Sequence, residues 1–190
     1  MNSNTPLYIL SFLSKPDGGL TLFKWNDTTN SYMYIQYEPL PIDQYNQIIV
    51  TDLINIINGF FTSTDDVEAF VVKPDGRSID DTKTLFRIGY NSATVKAVLD
   101  MLRLKVFNIK NSRLWQNYFN IDQTNTKGSA LEKAKELLPD IDINSTEQAE
   151  SILIGVYGIE TVIKKKILNK SMEYYKSIPA NALIDFSVMK

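Results

Sequence analysis

A run of six residues, Val67 to Val72 (VEAFVV), is the feature that most restricts how this chain can fold. It is almost wholly apolar, which is typical of a strand buried on both faces, within a sheet that carries helices on each side. Helical spacing of apolar residues precedes it from about Ile42 to Gly59, and a second helical pattern follows from about Thr82 to Leu102. The sequence therefore predicts an α/β protein.

Shorter strand patterns before and after this run predict the rest of the sheet. Residues 7–12, 20–25 and 32–37 have strand patterns joined by tight turns, which predicts an antiparallel meander. The first turn contains the sequence KPDGG, in which proline presets φ and glycine accepts a positive φ. Residues 105–109 form a fifth strand pattern, and further helical patterns follow. This order predicts a five-stranded mixed sheet flanked by helices.

Apolar stripes predict which helix faces point into the core. In the helix near residues 82–102, the predicted buried residues are Phe86, Gly89, Tyr90, Val95, Val98 and Leu102. A capping box of Ser145 and Gln148 begins another helix. Its predicted buried residues are Ala149, Ile152, Leu153, Val156 and Tyr157. Trp115 and Tyr118 are expected in the core, with a surface that stacks on a base or a partner as the alternative.

The 190 residues include no cysteine and no histidine, and these two absences exclude several kinds of chemistry. A disulfide framework, a thiol nucleophile, a Ser-His-Asp triad and a histidine-ligated zinc site all require one or the other. Any metal would have to be a hard cation held by oxygen, such as Mg²⁺ or Mn²⁺. A net charge of -2 argues against coating nucleic acid by bulk charge, and it leaves a local basic patch open.

The two ends of the chain predict location and assembly. No apolar run approaches the roughly 18 residues of a membrane span, and residues 1–6 show no signal-peptide pattern, so we expect no membrane partner. We expect a domain over residues 1–158 and a C-terminal helix and tail over residues 159–190 that serves in interaction. The apolar stretch from Ala180 to Met189 either folds back or adds to a neighbour's sheet, which predicts a homo-oligomer.

Three segments of residues 67–158 together resemble one protein family. They are VEAFVVKP, LFRIGYNSATVKAVLDMLRLKVFNIKNSRLWQNYF and KGSALEKAKELLPDIDINSTEQAESILIGVYG. In order and spacing they are similar to the RuvC-type Holliday-junction resolvases of the RNase H-like superfamily, especially the small phage-encoded ones. Residues 1–66 match only in the order of their elements, and residues 159–190 lie outside the family core. The resemblance implies an RNase H-like fold with a C-terminal extension. It also implies an endonuclease site in which four carboxylates hold two metal ions.

The resemblance also implies where those carboxylates should be: one on the first strand, one at the end of the fourth strand and two on the last helix. The corresponding residues here are Ser11, Lys73, Glu147 and Glu150. Serine is a weak neutral ligand, and an ammonium group repels a divalent ion, so two of the four ligands are missing. We therefore expect a degenerate site with no catalytic residue, no metal and no cofactor.

Two alternatives stay open for these acidic residues. In one, Glu147 and Glu150 hold Mg²⁺ or Mn²⁺ together with Asp75, or with Asp17, as substitute ligands. In the other, the two glutamates are simply acids near a helix N-terminus, where the helix dipole stabilises negative charge.

These expectations lead to three functional hypotheses. The preferred one is a catalytically inactive RuvC-like protein with a structural role in a phage virion, as a ring or connector component near the portal or tail. It would contact other phage structural proteins and assemble in the cytoplasm of the bacterial host. The first alternative is a divergent Mg²⁺-dependent endonuclease, in the cytoplasm, that resolves branched DNA. The second is a non-cleaving binder of DNA structure that uses the basic run Lys164, Lys165, Lys166 and Lys170.

Overall fold

Five strands form one mixed sheet in the computed structural model, which describes residues 6–15, 17–61, 66–73, 81–166 and 168–169. The strands are β1 (Tyr8–Phe12), β2 (Gly19–Asn26), β3 (Ser31–Pro39), β4 (Val67–Val72) and β5 (Lys105–Ile109). Their order across the sheet is β3-β2-β1-β4-β5. The first three strands form an antiparallel meander, whereas β4 runs parallel to β1 and β5 parallel to β4. The predicted five-stranded mixed sheet is confirmed.

Helices cover both faces of this sheet. They are α1 (Val50–Phe60), α2 (Thr82–Met101), α3 (Arg113–Tyr118), α4 (Thr126–Leu137) and α5 (Thr146–Gly158). Side chains alternate along β1, so Leu10 and Phe12 pack with α1 and α2, while Ile9 and Leu13 pack with α3, α4 and α5. None of the described helices combines the length and the apolar character needed to span a bilayer.

Side-chain caps define where the longer helices begin. The Asp81 carboxylate accepts a hydrogen bond from the Thr84 N–H at 2.9 Å, and this bond begins α2. The Ser145 hydroxyl accepts from the Gln148 N–H at 3.0 Å, as the predicted capping box requires. The Gln148 amide oxygen in turn accepts from the Asn144 N–H at 3.1 Å. These bonds fix the first turn of α5.

Two helical predictions are wrong in detail. The first helix begins at Val50 rather than near Ile42, because residues 42–48 form a loop closed by an isolated bridge. In α2, Phe86 is 63% exposed, Tyr90 is 40% exposed and Gly89 is exposed as well, although all three were expected in the core. A 20-residue helix is about 30 Å long, whereas a six-residue strand spans about 20 Å. The first turns of α2 therefore extend past the strand that its later turns cover.

The two aromatic residues of α3 differ in burial. Trp115 is buried, as predicted, whereas Tyr118 is 48% exposed, although it too was expected in the core. Tyr118 is the last residue of this short helix, and its ring packs edge-on against the rings of Phe119 and Tyr157 at the surface of the core.

Two glycines bring α5 close to the sheet. A Cβ at Gly155 would overlap the Phe23 ring and the Ser11 hydroxyl, and one at Gly158 would overlap the Phe70 ring. The helix does not end at these glycines but continues through a π-helical turn, Ile159–Ile163, to residue 166. The expected boundary at residue 158 thus falls inside a continuous helix whose next turn is packed in the core. An interaction role for residues 159–190 stays a prediction.

Three elements of the predicted site and tail lie outside the described residues: Asp75, Lys170 and the apolar stretch from Ala180 to Met189.

Candidate functional site

The carboxyl ends of β1, β4 and β5 lie at one edge of the sheet, because these three strands are parallel. Helix α5 begins at this edge, where Lys15 contacts Glu150. It then crosses the sheet, and the helical segment that continues it reaches the other edge, where Lys166 contacts Glu68 near the start of β4. The predicted site residues Ser11, Glu147 and Glu150 therefore lie along one seam between β1 and α5.

A lysine that the sequence did not single out lies between the acidic residues of this seam. The Lys15 Nζ atom is 2.9 Å from Glu150 Oε2 and 4.0 Å from Glu147 Oε1. It is also 4.0 Å from Asp17 Oδ1, which belongs to the same turn. Lys127 of α4 approaches Glu147 Oε1 at 3.3 Å. We call these five residues the Lys15 cluster; it contains three carboxylates and two ammonium groups.

The cluster favours the ionised form of Glu147. Burial alone would raise the pKa of this carboxyl group, but hydrogen bonds from Thr146, its own N–H and Lys127, with the Lys15 charge, lower the pKa below its usual value. The hydrogen bond and the charge of Glu147 in turn raise the pKa of Lys127. Burial, followed by the negative charge of Glu147, raises the pKa of Tyr37 to about 12. Glu147 therefore stays a carboxylate beside two cations at neutral pH.

Ser11 lies one helical turn further along the seam, in a neutral network of hydroxyl groups. It is fully buried, and its Oγ donates to the Ser151 carbonyl at 2.7 Å. The Ser151 hydroxyl donates to the Gln148 carbonyl at 3.0 Å, so it accepts the 2.6 Å hydrogen bond that it shares with Thr21. Each of these three hydroxyl protons is thus committed to an oxygen of the protein.

Lys73 lies at the expected strand end and is exposed. Its backbone N–H donates to the Ile109 carbonyl at 2.9 Å, which places it beside the end of β5. Phe70 and Val72 belong to the row of β4 that packs with α5, so Lys73 does not continue that row. Lys110, which follows β5 directly, is exposed at the same edge. We call Lys15, Lys73 and Lys110 the strand-end lysines.

The described part of the C-terminal basic run, residues 164–166, lies at the opposite edge of the sheet, and two of its charges are already paired. Lys164 Nζ is 2.6 Å from Glu160 of the preceding turn. Lys166 Nζ is 3.0 Å from Glu68 Oε2 and lies 3.9 Å from the centroid of the Phe107 ring. Glu68 also accepts from Lys105 at 2.8 Å. Lys165 is exposed.

The residues present do not fit the two-metal site that the fold family implies. Ser11 and Lys73 supply no anionic oxygen, and the Lys15 ammonium lies against the glutamates that remain. Within the described ranges, no group of three or more acidic side chains is placed to hold a metal ion. The helix-dipole explanation covers Glu147, which lies in the first turn of α5, but not Glu150, which lies beyond it.

The comparisons with known proteins concern the fold. No family model and no curated protein matches the chain. The Thermus thermophilus RuvC in complex with a Holliday junction substrate is similar at a TM-score of 0.59 and 8% identity, over 82% of this chain and 96% of that chain. A second structure of the same RuvC gives a TM-score of 0.55 and 8% identity, over 79% and 92%.

A fowlpox virus Holliday junction resolvase gives a TM-score of 0.48 and 11% identity, over 82% of this chain and 99% of that chain. At these identities the likeness concerns architecture and not chemistry. The five-stranded mixed sheet and its flanking helices show that the chain has the RNase H-like fold of the RuvC-type Holliday junction resolvases.

Proposed function

We propose that this protein binds branched DNA at the edge of the sheet where β1, β4 and β5 end, and that it does so without cutting the DNA. The observation that carries the proposal is the presence of three lysines at the sheet edge where the fold family implies a metal site, one of them, Lys73, at an implied carboxylate position. Lys73 and Lys110 are exposed at this edge, and Lys15 lies against Glu150. An ammonium group binds a phosphate directly, so these lysines can hold a DNA backbone without a bridging metal ion.

The similarity in fold supports DNA as the class of ligand. The RuvC structure at a TM-score of 0.59 was solved with a Holliday junction substrate, and the match covers 96% of that chain. The aligned region thus spans nearly the whole length of that protein. A net charge of -2 is compatible with this ligand because the relevant lysines gather at one edge.

The chemistry of the site argues against hydrolysis. A two-metal mechanism needs several anionic oxygens to offset the repulsion between two divalent ions about 4 Å apart. Two of the four positions where the fold family implies a carboxylate lack one: Ser11 is neutral, and Lys73 is cationic. The nearby Glu150 carboxylate is already bound by an ammonium group at 2.9 Å. We therefore assign the edge to binding rather than to catalysis.

Fluorescence anisotropy tests this proposal in EDTA, with a labelled four-way junction and a linear duplex that has the sequence of its arms. We expect tighter binding to the junction, and an affinity that falls as salt rises. Lys73→Glu and Lys110→Glu should each weaken binding and lower the slope of log K against log salt by about 1. Lys24→Glu is the matched control, because Lys24 lies at the opposite edge, opposite Tyr8 of β1.

Three results would contradict the proposal: no binding at low salt, equal affinity for the junction and the duplex, or an equal loss of affinity in the Lys24→Glu variant. A fourth would move the DNA-binding surface to the basic run. It is a loss of affinity in Lys165→Glu, while Lys73→Glu and Lys110→Glu bind as the wild type does.

A divergent Mg²⁺-dependent endonuclease is the second candidate, and one observation favours it. Asp17, Glu147 and Glu150 all have a carboxylate oxygen within 4.0 Å of the same cationic atom, Lys15 Nζ. If the Lys15 side chain adopts a different rotamer, the carboxylates of Asp17, Glu147 and Glu150 surround the position that its ammonium group occupied. Incubation of the purified protein with a four-way junction and Mn²⁺ decides between the candidates. Metal-dependent cuts that Glu150→Gln abolishes would establish the nuclease.

A structural role in a phage virion stays a prediction, as do phage structural partners, a homo-oligomer and a location in the particle. The fold and the comparisons do not bear on them. Mass spectrometry of purified particles, calibrated for copy number, tests the virion role. Absence of the protein from the particles would rule it out.

A further inference from the structure

We infer that the ammonium group of Lys15 takes the place of a metal ion at the α5 carboxylates, so that Glu147 and Glu150 are stabilised without any divalent cation. The inference goes beyond DNA binding and does not depend on it. It follows from the disagreement between the metal site that the fold implies and the side chains that this chain places there.

The ionised forms of Glu147 and Glu150 require a nearby cation to be stable in the folded protein. They are three residues apart on α5 and therefore lie on the same helix face, where like charges destabilise each other. Glu150 is only 7% exposed, and a buried carboxylate without a partner is strongly unfavourable. Lys15 Nζ lies 2.9 Å from Glu150 and 4.0 Å from Glu147, and among the described residues it is the one cation that forms an ion pair with both. Lys127 lies closer to Glu147, at 3.3 Å, but forms no ion pair with Glu150.

The turn after β1 holds Lys15 in place. The Leu13 N–H donates to the Gly19 carbonyl at 2.9 Å, and the Gly18 N–H donates to the Lys15 carbonyl at 2.8 Å. The backbone of Lys15 is thereby fixed beside the start of α5. A cation attached to the chain in this way has a high effective concentration at the carboxylates. A divalent ion from solution must displace it in order to bind.

An ordinary ion pair would have the same distances, so the test must separate the two explanations. If Lys15 replaces a metal, a divalent ion should bind once the ammonium group is removed, because Mg²⁺-type ions need only one or two protein carboxylates. If Lys15 is an ordinary ion-pair partner, removing it destabilises the fold and creates no site for a divalent ion.

Thermal unfolding of the full chain in EDTA and in MnCl₂ makes this distinction. The wild type should unfold at the same temperature in both, to within about 1 °C, whereas Lys15→Gln should have a lower Tm in EDTA. With MnCl₂ at about ten times its Kd, the Tm of that variant should rise by about 3–6 °C. Adding Glu150→Gln to Lys15→Gln should abolish the rise.

Lys133→Gln is the matched control. Lys133 also pairs with a glutamate at 2.8 Å, and its side chain is 28% exposed, against 26% for Lys15. Its variant should show no response to MnCl₂. The inference fails if the wild type is stabilised by MnCl₂ as much as Lys15→Gln is, or if Lys15→Gln does not respond.

A direct measurement covers the case in which Lys15→Gln does not fold. The electron paramagnetic resonance signal of free Mn²⁺ is followed as wild-type protein is added. An unchanged signal is the result that the inference requires, and saturable binding that Glu150→Gln removes would overturn it. Lys15→Met is the second variant, and it should bind Mn²⁺ saturably where the wild type does not. Junction binding in EDTA is a separate readout, so failure of this inference and failure of the proposed function are distinguishable.

Discussion

Single hydroxyl and carboxylate groups decide what the seam between β1 and α5 can do. The side chain that faces Glu150 belongs to Lys15, four residues beyond the serine that the family resemblance indicates. Lys15 is the first residue of the KPDGG turn, and a lysine in such a turn is ordinarily solvated. The contact spans 135 residues of sequence, and no local pattern encodes it. One signal was available: the turn directly follows a strand, so its first residue lies at the carboxyl edge of the sheet.

Restoring an acid at Ser11 tests the neutral character of the network. Ser11 is fully buried against the Ser151 carbonyl, so Ser11→Asp would place a charge there without a cation. We expect a loss of about 3–5 kcal/mol in the free energy of unfolding at neutral pH, measured by urea denaturation. Ser11→Ala, the control, removes one hydrogen bond and should cost about 1 kcal/mol. An equal loss of unfolding free energy in the two variants would contradict a neutral environment around Ser11.

The lowered pKa of Glu147 predicts how stability depends on pH. Its pKa is lower in the folded state than in the unfolded state, so its contribution is present above the unfolded value of about 4.3. That contribution disappears as the pH falls through the lower folded value. Glu147→Gln should therefore lose stability at pH 7 and show a shallower decline between about pH 5 and pH 3. Urea denaturation at several pH values measures this, with Glu132→Gln as the control. An unchanged profile would refute the assignment.

At the scale of elements, α5 is held by close contact with the sheet. Gly155→Ala would push a methyl group into the Phe23 ring and should cost about 1–3 kcal/mol. Gly89→Ala on the exposed part of α2 is the matched control, because nothing lies within 4 Å of a Cβ there. That variant should gain about 0.5–1 kcal/mol from helix propensity. Chemical denaturation of both variants checks the pair. A gain in both would mean that α5 lies further from the sheet.

Leu153 is the corresponding test of the predicted helix face. It is fully buried in the core that includes α5, so Leu153→Ala should cost about 2–5 kcal/mol in the free energy of unfolding. Leu137→Ala near the end of α4, where the leucine is 37% exposed, should cost much less. Urea denaturation compares the two. A loss below about 1 kcal/mol at Leu153 would show that the wrong face had been assigned to the core.

Elements were predictable where the local pattern alone determines them. The bounds of β4 and β5 follow from strand patterns of six and five residues, and the capping box marks the start of α5. The exposure of Phe86 and Tyr90 was not predictable. These residues continue the apolar stripe of α2 into its first turns, which extend past the end of the sheet. Burial there depends on the length of the neighbouring strands, which the periodicity of the helix does not contain.

On the scale of the whole molecule, the two edges of the sheet differ in charge chemistry. At the amino edge of β4, Glu68 pairs with Lys105 and Lys166, which neutralises part of the C-terminal basic run. At the carboxyl edge, Lys73 and Lys110 are exposed beside the Lys15 cluster. The basic run was predictable because three of its lysines are consecutive. Of the strand-end lysines, only Lys73 was predicted as a site position, through the family resemblance. Lys15 and Lys110 were not, because only the parallel order of the strands places them at the same edge.

The fold was predictable from the resemblance over residues 67–158, since element order and spacing survive when sequence identity is very low. The function was less predictable, because only a few residues distinguish a nuclease from a binding protein. One of them, Lys15, lies outside the segment that resembles the family. The central proposal is that DNA binds at the edge where β1, β4 and β5 end, and that lysines, Lys15 above all, stand there in place of metal ions.

A crystal structure of the protein with a four-way junction, grown in MnCl₂ and measured at the manganese absorption edge, tests that claim most directly. We expect intact DNA strands with phosphates at Lys73 and Lys110, an ion pair between Lys15 and Glu150, and no anomalous peak at the α5 carboxylates. Manganese bridging Glu147 and Glu150, with Lys15 displaced and a DNA strand cut, would contradict it.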